Sequence, residues 1–399
     1  MDVNLYQRNT PANFWKVTTP IEEEVWETAI CDTLKQLGYP CSTLDDYLHW
    51  SLGEGSYGYG CWQLSFPKQV YYLCKPIIPQ FASRILRQIL YKGKHQSPMQ
   101  CIYWPIDDRY VQYLWMVLRS VMNLLGRTEL EIIGFWPDRK QNAFVLTHDI
   151  ETEAGQKNVR QVAEIDEELG FRSAFFFVLQ RYKLDMGLIR TLIDRGFEVG
   201  IHGYNHDGKL FCFSSCPLKR INRINEFARE LNAHSFRSPM TLRNPERMQH
   251  LDLDYDLSFF DTDPYEPMPG GTMSIFPFEM GTWIELPYTL PQEYTLFELL
   301  HQPTAQIWKA KLAFLRQYHG MILLDSHPDY LRLRNNTDKY KEFLQELSDD
   351  EESLFHATPA EVGSWWKRRM EMSSVAAVDG ATIAHVHLDT KVQKLTLER

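Results

Sequence analysis

Four short clusters in this chain have the residue types and the order needed for hydrolysis at a metal ion: Thr147-His148-Asp149-Ile150-Glu151, His202-Gly203-Tyr204-Asn205-His206, Phe236-Arg237-Ser238-Pro239 and Asp325-Ser326-His327. Glu151 offers a carboxylate oxygen, and His202 and His206 offer two imidazoles. Such a mixed set holds a zinc-like ion and leaves positions open for water and a carbonyl oxygen. Gly203, Asn205 and Gly208 make the histidine segment a loop, so both rings can turn inward although four positions separate them. Asp149, two residues before Glu151 in an extended segment, points to the same side and is placed to take the proton of an attacking water. Each cluster also has an ordinary reading. Carboxylates cap helix starts, single histidines sit hydrogen-bonded in loops, Arg237 alone fits a surface ion pair, and His327 before Pro328 fits a strand-end turn. Asp325 either tunes His327 or caps a loop. The joint set outweighs these readings because all four clusters follow buried apolar runs.

Those runs are 143–147, 173–178, 197–201, 235–237, 257–260, 283–286 and 321–324. Short and continuously apolar, they alternate with amphipathic stretches at 156–169, 186–195, 217–232 and 304–318, the pattern of parallel strands covered on both faces. Seven such strands suit a closed or nearly closed β/α barrel, in which chemistry is placed where the strands end.

Outside the barrel, 1–140 reads as an N-terminal accessory region and 348–399 as a C-terminal tail, leaving 141–347 as the catalytic unit; at 399 residues one domain alone is not expected. In the first region Thr19-Pro20-Ile21-Glu22 reads as a capping box opening a helix that ends near Gly38. A second helix is expected after Pro79 to Tyr91 and a third after Asp108, with an irregular glycine-rich and aromatic segment between Gly53 and Trp62. In the tail Thr358-Pro359-Ala360-Glu361 opens a helix carrying Trp365 and Trp366, read as packed against the neighbouring unit. A hairpin is expected from 375–378 through Asp379-Gly380 to 381–388, with His385 and His387 on one solvated or interface face. The segment 267–277 is either a substrate-contacting loop or an ordered connection.

Composition narrows the function. With 44% hydrophobic residues the chain can bury a large core, and a net charge of −10 disfavours nucleic acid as a partner. The N-terminal residues lack the pattern of a secretory signal, and no apolar run reaches the roughly 20 residues of a spanning helix. Seven cysteines without Cys-x-x-Cys pairs fit a reducing compartment, so a cytoplasmic location is expected, with Cys212 and Cys216 read as packing residues. Oligomeric state stays open, a homo-oligomer included.

The order of the clusters resembles the polysaccharide deacetylases of the NodB-homology type, carbohydrate esterase family 4. The resemblance rests on Asp149 and Glu151, His202 and His206, Arg237-Ser238-Pro239 and His327, with Arg172-Ser173-Ala174-Phe175-Phe176-Phe177-Val178 and Gly196-Phe197-Glu198-Val199-Gly200 in support. It covers about half of the chain, 141–330. What it implies is an α/β fold, a distorted (β/α)7 barrel, here with an N-terminal mixed α/β extension and a C-terminal helix plus β-hairpin. It further implies a divalent metal, zinc foremost, on Glu151, His202 and His206, with Asp149 as base, His327 as acid and Arg237 holding Asp149 by a charge-assisted bond. The implied reaction is removal of an acyl group, acetyl foremost, from the nitrogen or oxygen of a sugar or glycoconjugate. Three features depart from the family pattern: Asp-Ile-Glu replaces the adjacent acids of the first motif, Gly203 stands where Ser or Thr is common, and Asp261-Thr262-Asp263-Pro264-Tyr265-Glu266-Pro267 replaces the usual fourth motif. Two other readings remain: a catalytically silent carbohydrate-binding protein of the same fold, which metal analysis separates, and a metal-independent amidase on a small amide, which chelation separates.

Overall fold

The structure is a computed structural model that describes residues 4–58, 61–64, 66–74, 103–211, 218–333, 335–372 and 379–398. Its strands are β1 (Glu129–Ile133), β2 (Asn142–Ile150), β3 (Ala174–Phe177), β4 (Glu198–Ile201), β5 (Ser235–Phe236), β6 (Tyr255–Asp256), β7 (Phe278–Met280), β8 (Trp283–Glu285), β9 (Met321–Ser326), β10 (Leu354–His356), β11 (Ile383–Asp389) and β12 (Lys394–Glu398).

All nine residues of β2 are buried, as a strand covered on both faces requires. β3, β4, β5, β6 and β8 follow it in parallel order on one side, and β9 lies parallel to it on the other. Beyond β8 the chain reaches β9 through the parallel bridge Leu290–Leu324 and the N–H groups of Thr289 and Leu290, which donate to Leu323. The ring β2-β3-β4-β5-β6-β8-β9 therefore closes, loosely on the β8–β9 side, as a distorted seven-stranded barrel. β7 pairs antiparallel with β8, and β10 extends the β3 side of β2 at its first residues. Helices Glu153–Glu168, Met186–Asp194, Leu218–Leu231 and Gln306–Gln317 form the outer layer. Side-chain caps start the first two: Thr152 accepts from the Gly155 N–H and Asp185 from the Leu188 N–H. The first cap fixes where the chain leaves the end of β2.

Most of the described segments outside the barrel pack into one continuous hydrophobic core with it, while Leu64 joins Leu242 and Met268 in a small separate cluster. β1 and the tail strands β11 and β12 form one sheet, ordered β1-β11-β12, so the strand just before the barrel and the C-terminal tail meet there. On the barrel's mouth, buried Glu54 bonds Arg243, the Gly271 N–H and the indole of Trp62, clamping the first region onto the loops after β5 and β6. Trp365 and Trp366 are buried in the core, and the tail helix Pro359–Glu371 carries the capping box expected at Thr358 and Glu361. The third helix is Arg109–Leu125, and a short 3₁₀ turn, Gly55–Tyr57, occupies the irregular glycine-rich segment.

Several sequence expectations need correction. The first long helix runs Glu23–Leu37 and has no side-chain cap, because Val17 bridges Ile132 and the Thr18 N–H donates to Glu131, which keep the chain extended before it. It does end at Gly38, in the left-handed conformation. The strand expected at 257–260 is β6, two residues earlier, with only a bridge at Phe260. Among the described residues the hairpin partner of β11 is β12, through 390–393, and β1 takes its other edge. The 375–378 half of that hairpin, the helix after Pro79, Cys212 and Cys216 lie outside the described residues. Most of 267–277 is buried, so this stretch is an ordered connection. Among the described residues no helix is long and apolar enough to cross a membrane.

Candidate functional site

Side chains alternate along β2, so Thr147 and Asp149 face the barrel interior, His148 faces outward, and Glu151 follows the last strand residue. Two strands away, His202 follows β4. Gly203 (φ +67°) and His206 (φ +54°) bend the chain back and bring the two imidazole centroids to 5.1 Å. Gly203 has a steric reason as well: a Cβ there would lie 2.4 Å from Cγ of Pro239, on the turn that follows Arg237. Departure from Ser or Thr at this position thus comes with the close approach of two loops that carry the site.

Arg237 enters the interior from the end of β5 and is fully buried. Its Nε donates to the Leu257 carbonyl at 2.9 Å, and its Nη1 donates to Thr147 Oγ1 at 3.0 Å, to Asp149 Oδ1 at 3.1 Å and to Asp325 Oδ1. Asp325 also accepts from Gln292 Nε2 at 2.7 Å. The Arg237 carbonyl has a separate task, accepting from His202 Nδ1 at 3.1 Å. A carbonyl can only accept, so the proton sits on Nδ1 and the Nε2 lone pair faces the acids. Burial pushes the His202 pKa down, against the opposing pull of Asp149 and Glu151, which favours the neutral ring.

Glu151 Oε1 lies 2.8 Å from His206 Nε2 and 3.6 Å from His327 Nε2. Burial would raise its pKa, but the charge and hydrogen bond of His206, then the charges of His327 and His202, hold it well below the usual carboxylate range. His327 follows β9. Its backbone N–H and Nδ1 both bind Oε1 of buried Glu293, at 2.7 and 3.0 Å. Burial would lower the His327 pKa; the charge and hydrogen bond of Glu293, with Asp325 and Glu151, carry it well above its ordinary value.

All six residues singled out in the sequence therefore meet at one end of the barrel. The ligand atoms of Glu151, His202 and His206 lie within 4.8 Å of one another, as do those of Asp149, Asp325 and His327. A divalent ion fits the first group. His202 Nε2 is buried, makes no hydrogen bond among the described residues, and has Asp149 Oδ2 at 3.5 Å. Two imidazoles and one carboxylate form a borderline ligand set that suits a divalent transition-metal ion.

Glu293 is the residue that the sequence did not reveal. It lies 34 positions before His327, at the start of the π-helical turn Tyr294–Leu299 and in no recognisable motif. The acids of segment 261–267, which stands in place of the usual fourth motif, are engaged internally. Lys311 Nζ sits 2.7 Å from Asp261, and Tyr288 Oη donates to Glu266 at 3.0 Å. Burial raises Asp261 to about 7 and Asp263 to about 8, in the latter case with help from the Glu266 charge.

No family model matches the chain, and no curated protein does. Among solved structures, one from Mycobacterium smegmatis assigned as a polysaccharide deacetylase aligns with TM-score 0.48 and 19% identity, over 59% of this chain and 93% of that one. A Puue allantoinase aligns with TM-score 0.48 and 14% identity, over 58% and 92%. The peptidoglycan deacetylase PdaC from Bacillus subtilis aligns with TM-score 0.37 and 15% identity, over 59% and 95%.

Proposed function

We propose that the chain is a metal-dependent hydrolase that removes an acyl group, acetyl foremost, from the nitrogen or oxygen of a sugar or glycoconjugate. One observation carries the reading: Glu151, His202 and His206 converge within ion-binding distance of one another beside an aspartate that is fixed by a buried arginine.

Glu151, His202 and His206 would hold the ion, zinc foremost, which would supply Lewis acidity and lower the pKa of the attacking water. Asp149, oriented by Arg237 Nη1, receives the proton of the attacking water. His202 is kept in its ligating tautomer by the Arg237 carbonyl, so one residue sets both the base and a ligand. His327 donates a proton to the departing amine or alkoxide, and Glu293 keeps it charged and aimed through Nδ1, leaving Nε2 toward the site. Base and acid come from adjacent strand ends, β2 and β9.

Metal analysis and acetate release from acetylated chito-oligosaccharides test this together. The chain is expected to bind one zinc, and Asp149→Asn to keep the zinc while losing about 10² to 10⁴ in rate. Full activity in Asp149→Asn would falsify the assignment. Activity that survives strong chelation moves the protein to the metal-independent amidases.

A further inference from the structure

Behind Asp149 and His327, on the outer face of the barrel wall, lies a second polar cluster that the reaction above does not use. β2 and β9 are parallel neighbours with His148 opposite Ser326 in register, one position before Asp149 and His327 respectively. Thr147 and Asp325, the preceding pair, face inward and bond each other at 3.3 Å. His148 and Ser326 face outward and are joined by a hydrogen bond of 2.8 Å between Nδ1 and Oγ. The other ring nitrogen of His148 lies 2.9 Å from Asp166 Oδ2 on helix Glu153–Glu168. Asp166 also accepts from Ser173 Oγ at 2.7 Å, just before β3, and from Tyr340 Oη at 2.7 Å on helix Asn336–Ser348. All five residues are fully buried.

Ser326, His148 and Asp166 have the linear order of a nucleophile, base and orienting acid, but burial denies them any substrate. Their value is geometric. Packing a β/α wall needs only apolar side chains at such positions, and replacing a whole hydrogen-bonded buried set by apolar groups of the same shape can be nearly neutral. Hydrogen bonds differ from apolar contacts in fixing distance and direction. Because side chains alternate along a strand, locking an outward residue also fixes where its inward neighbour projects.

We propose that Ser326, His148 and Asp166 are positioning residues forming a brace that sets the spacing of Asp149 and His327 by pinning β2 to β9 one residue before each. Its role in turnover rests on the function proposed above; its effect on spacing does not. The brace ties both strands, through Asp166, to the β3 start and to two outer helices.

The full zinc-loaded chain is compared with Ser326→Ala and Ser326→Thr by crystallography, thermal unfolding and acetate release from acetylated chito-oligosaccharides. The expected result for Ser326→Ala is cooperative unfolding, unchanged zinc content and KM, an altered Asp149–His327 separation, and a kcat lower by about ten- to a hundredfold. Ser326→Thr, which keeps the hydroxyl, restores both separation and kcat. A parent-like separation with parent-like kcat in Ser326→Ala overturns the brace and leaves a purely structural cluster. Should Ser326→Ala not fold, His148→Phe, which swaps the ring for an apolar one of similar size, is read by the same criteria. If the parent itself releases no acetate, the hydrolase reading fails, and the measured separation alone decides the brace.

Discussion

Two histidine pairs in this protein have glutamate within reach, and they differ in almost every other respect. His202 and His206 sit on a buried loop at a strand end, with centroids 5.1 Å apart and rings tilted by 46°, and they share one region with Glu151. His385 and His387 sit two apart on β11, stacked at 6.2 Å and 12°, and each has its own partner: Glu129 at 2.7 Å and Glu398 at 3.7 Å. Neighbouring strands hold the second pair side by side, so its rings run parallel and each directs a ring nitrogen to its own carboxylate in water. A loop with two left-handed residues lets the first pair turn toward a common point, and burial removes the water that would otherwise compete for it. Convergence and desolvation are what a metal site requires; the number of imidazoles alone does not supply it.

Variants at the two pairs sharpen that contrast. The largest effect is expected from His202→Ala, which should abolish zinc binding and nearly all hydrolysis, checked by elemental analysis and acetate release. Arg237→Met comes next. It leaves Asp149 and Asp325 buried without their cation, and a loss of about 3 to 5 kcal/mol in unfolding free energy is expected by denaturant titration. Activity should fall with it, since the same residue orients the base.

Glu293→Gln has a smaller effect with a diagnostic pH dependence. In the parent the His327 pKa is raised, mainly by Glu293 against burial, so its stabilising contribution is complete below the ordinary histidine value near 6.5 and is lost as pH rises through the raised one. The variant should lack that loss, and the alkaline limb of its rate profile should move to lower pH, because His327 must be protonated to act as the acid. An unmoved limb would remove His327 from that role. The smallest effects are expected at the exposed pair: His385→Ala and His387→Ala should leave zinc content and rate unchanged and stability within about 0.5 kcal/mol, by thermal unfolding. A zinc deficit in either would break the comparison.

Much of the site was legible because its members follow apolar runs whose period identifies buried parallel strands. Asp149, Glu151, His202, His206, Arg237 and His327 could all be placed at strand ends from order alone. Glu293 could not, since it follows the irregular end of β8 and no spacing links it to His327. His148 and Ser326 stood in the quoted clusters, yet nothing in the sequence says that the outward residues of adjacent strands meet. At the chain ends the misreadings were local: Thr19 has the residues of a cap, but β1 draws Val17 and Thr18 into extended pairing, and a tertiary contact outweighs a capping preference of about 1 kcal/mol.

By itself the sequence determined the seven strands of the barrel, their alternation with helices and which polar groups lie at strand ends, because side-chain period and burial are properties of a short stretch of chain. Tertiary structure alone decided that Arg237 serves Asp149 through its side chain and His202 through its carbonyl, that Glu293 backs His327, and that β11 joins β1 to β12. Those pairings depend on distances between segments far apart in the chain, which are set by how the barrel closes and how both ends pack against it.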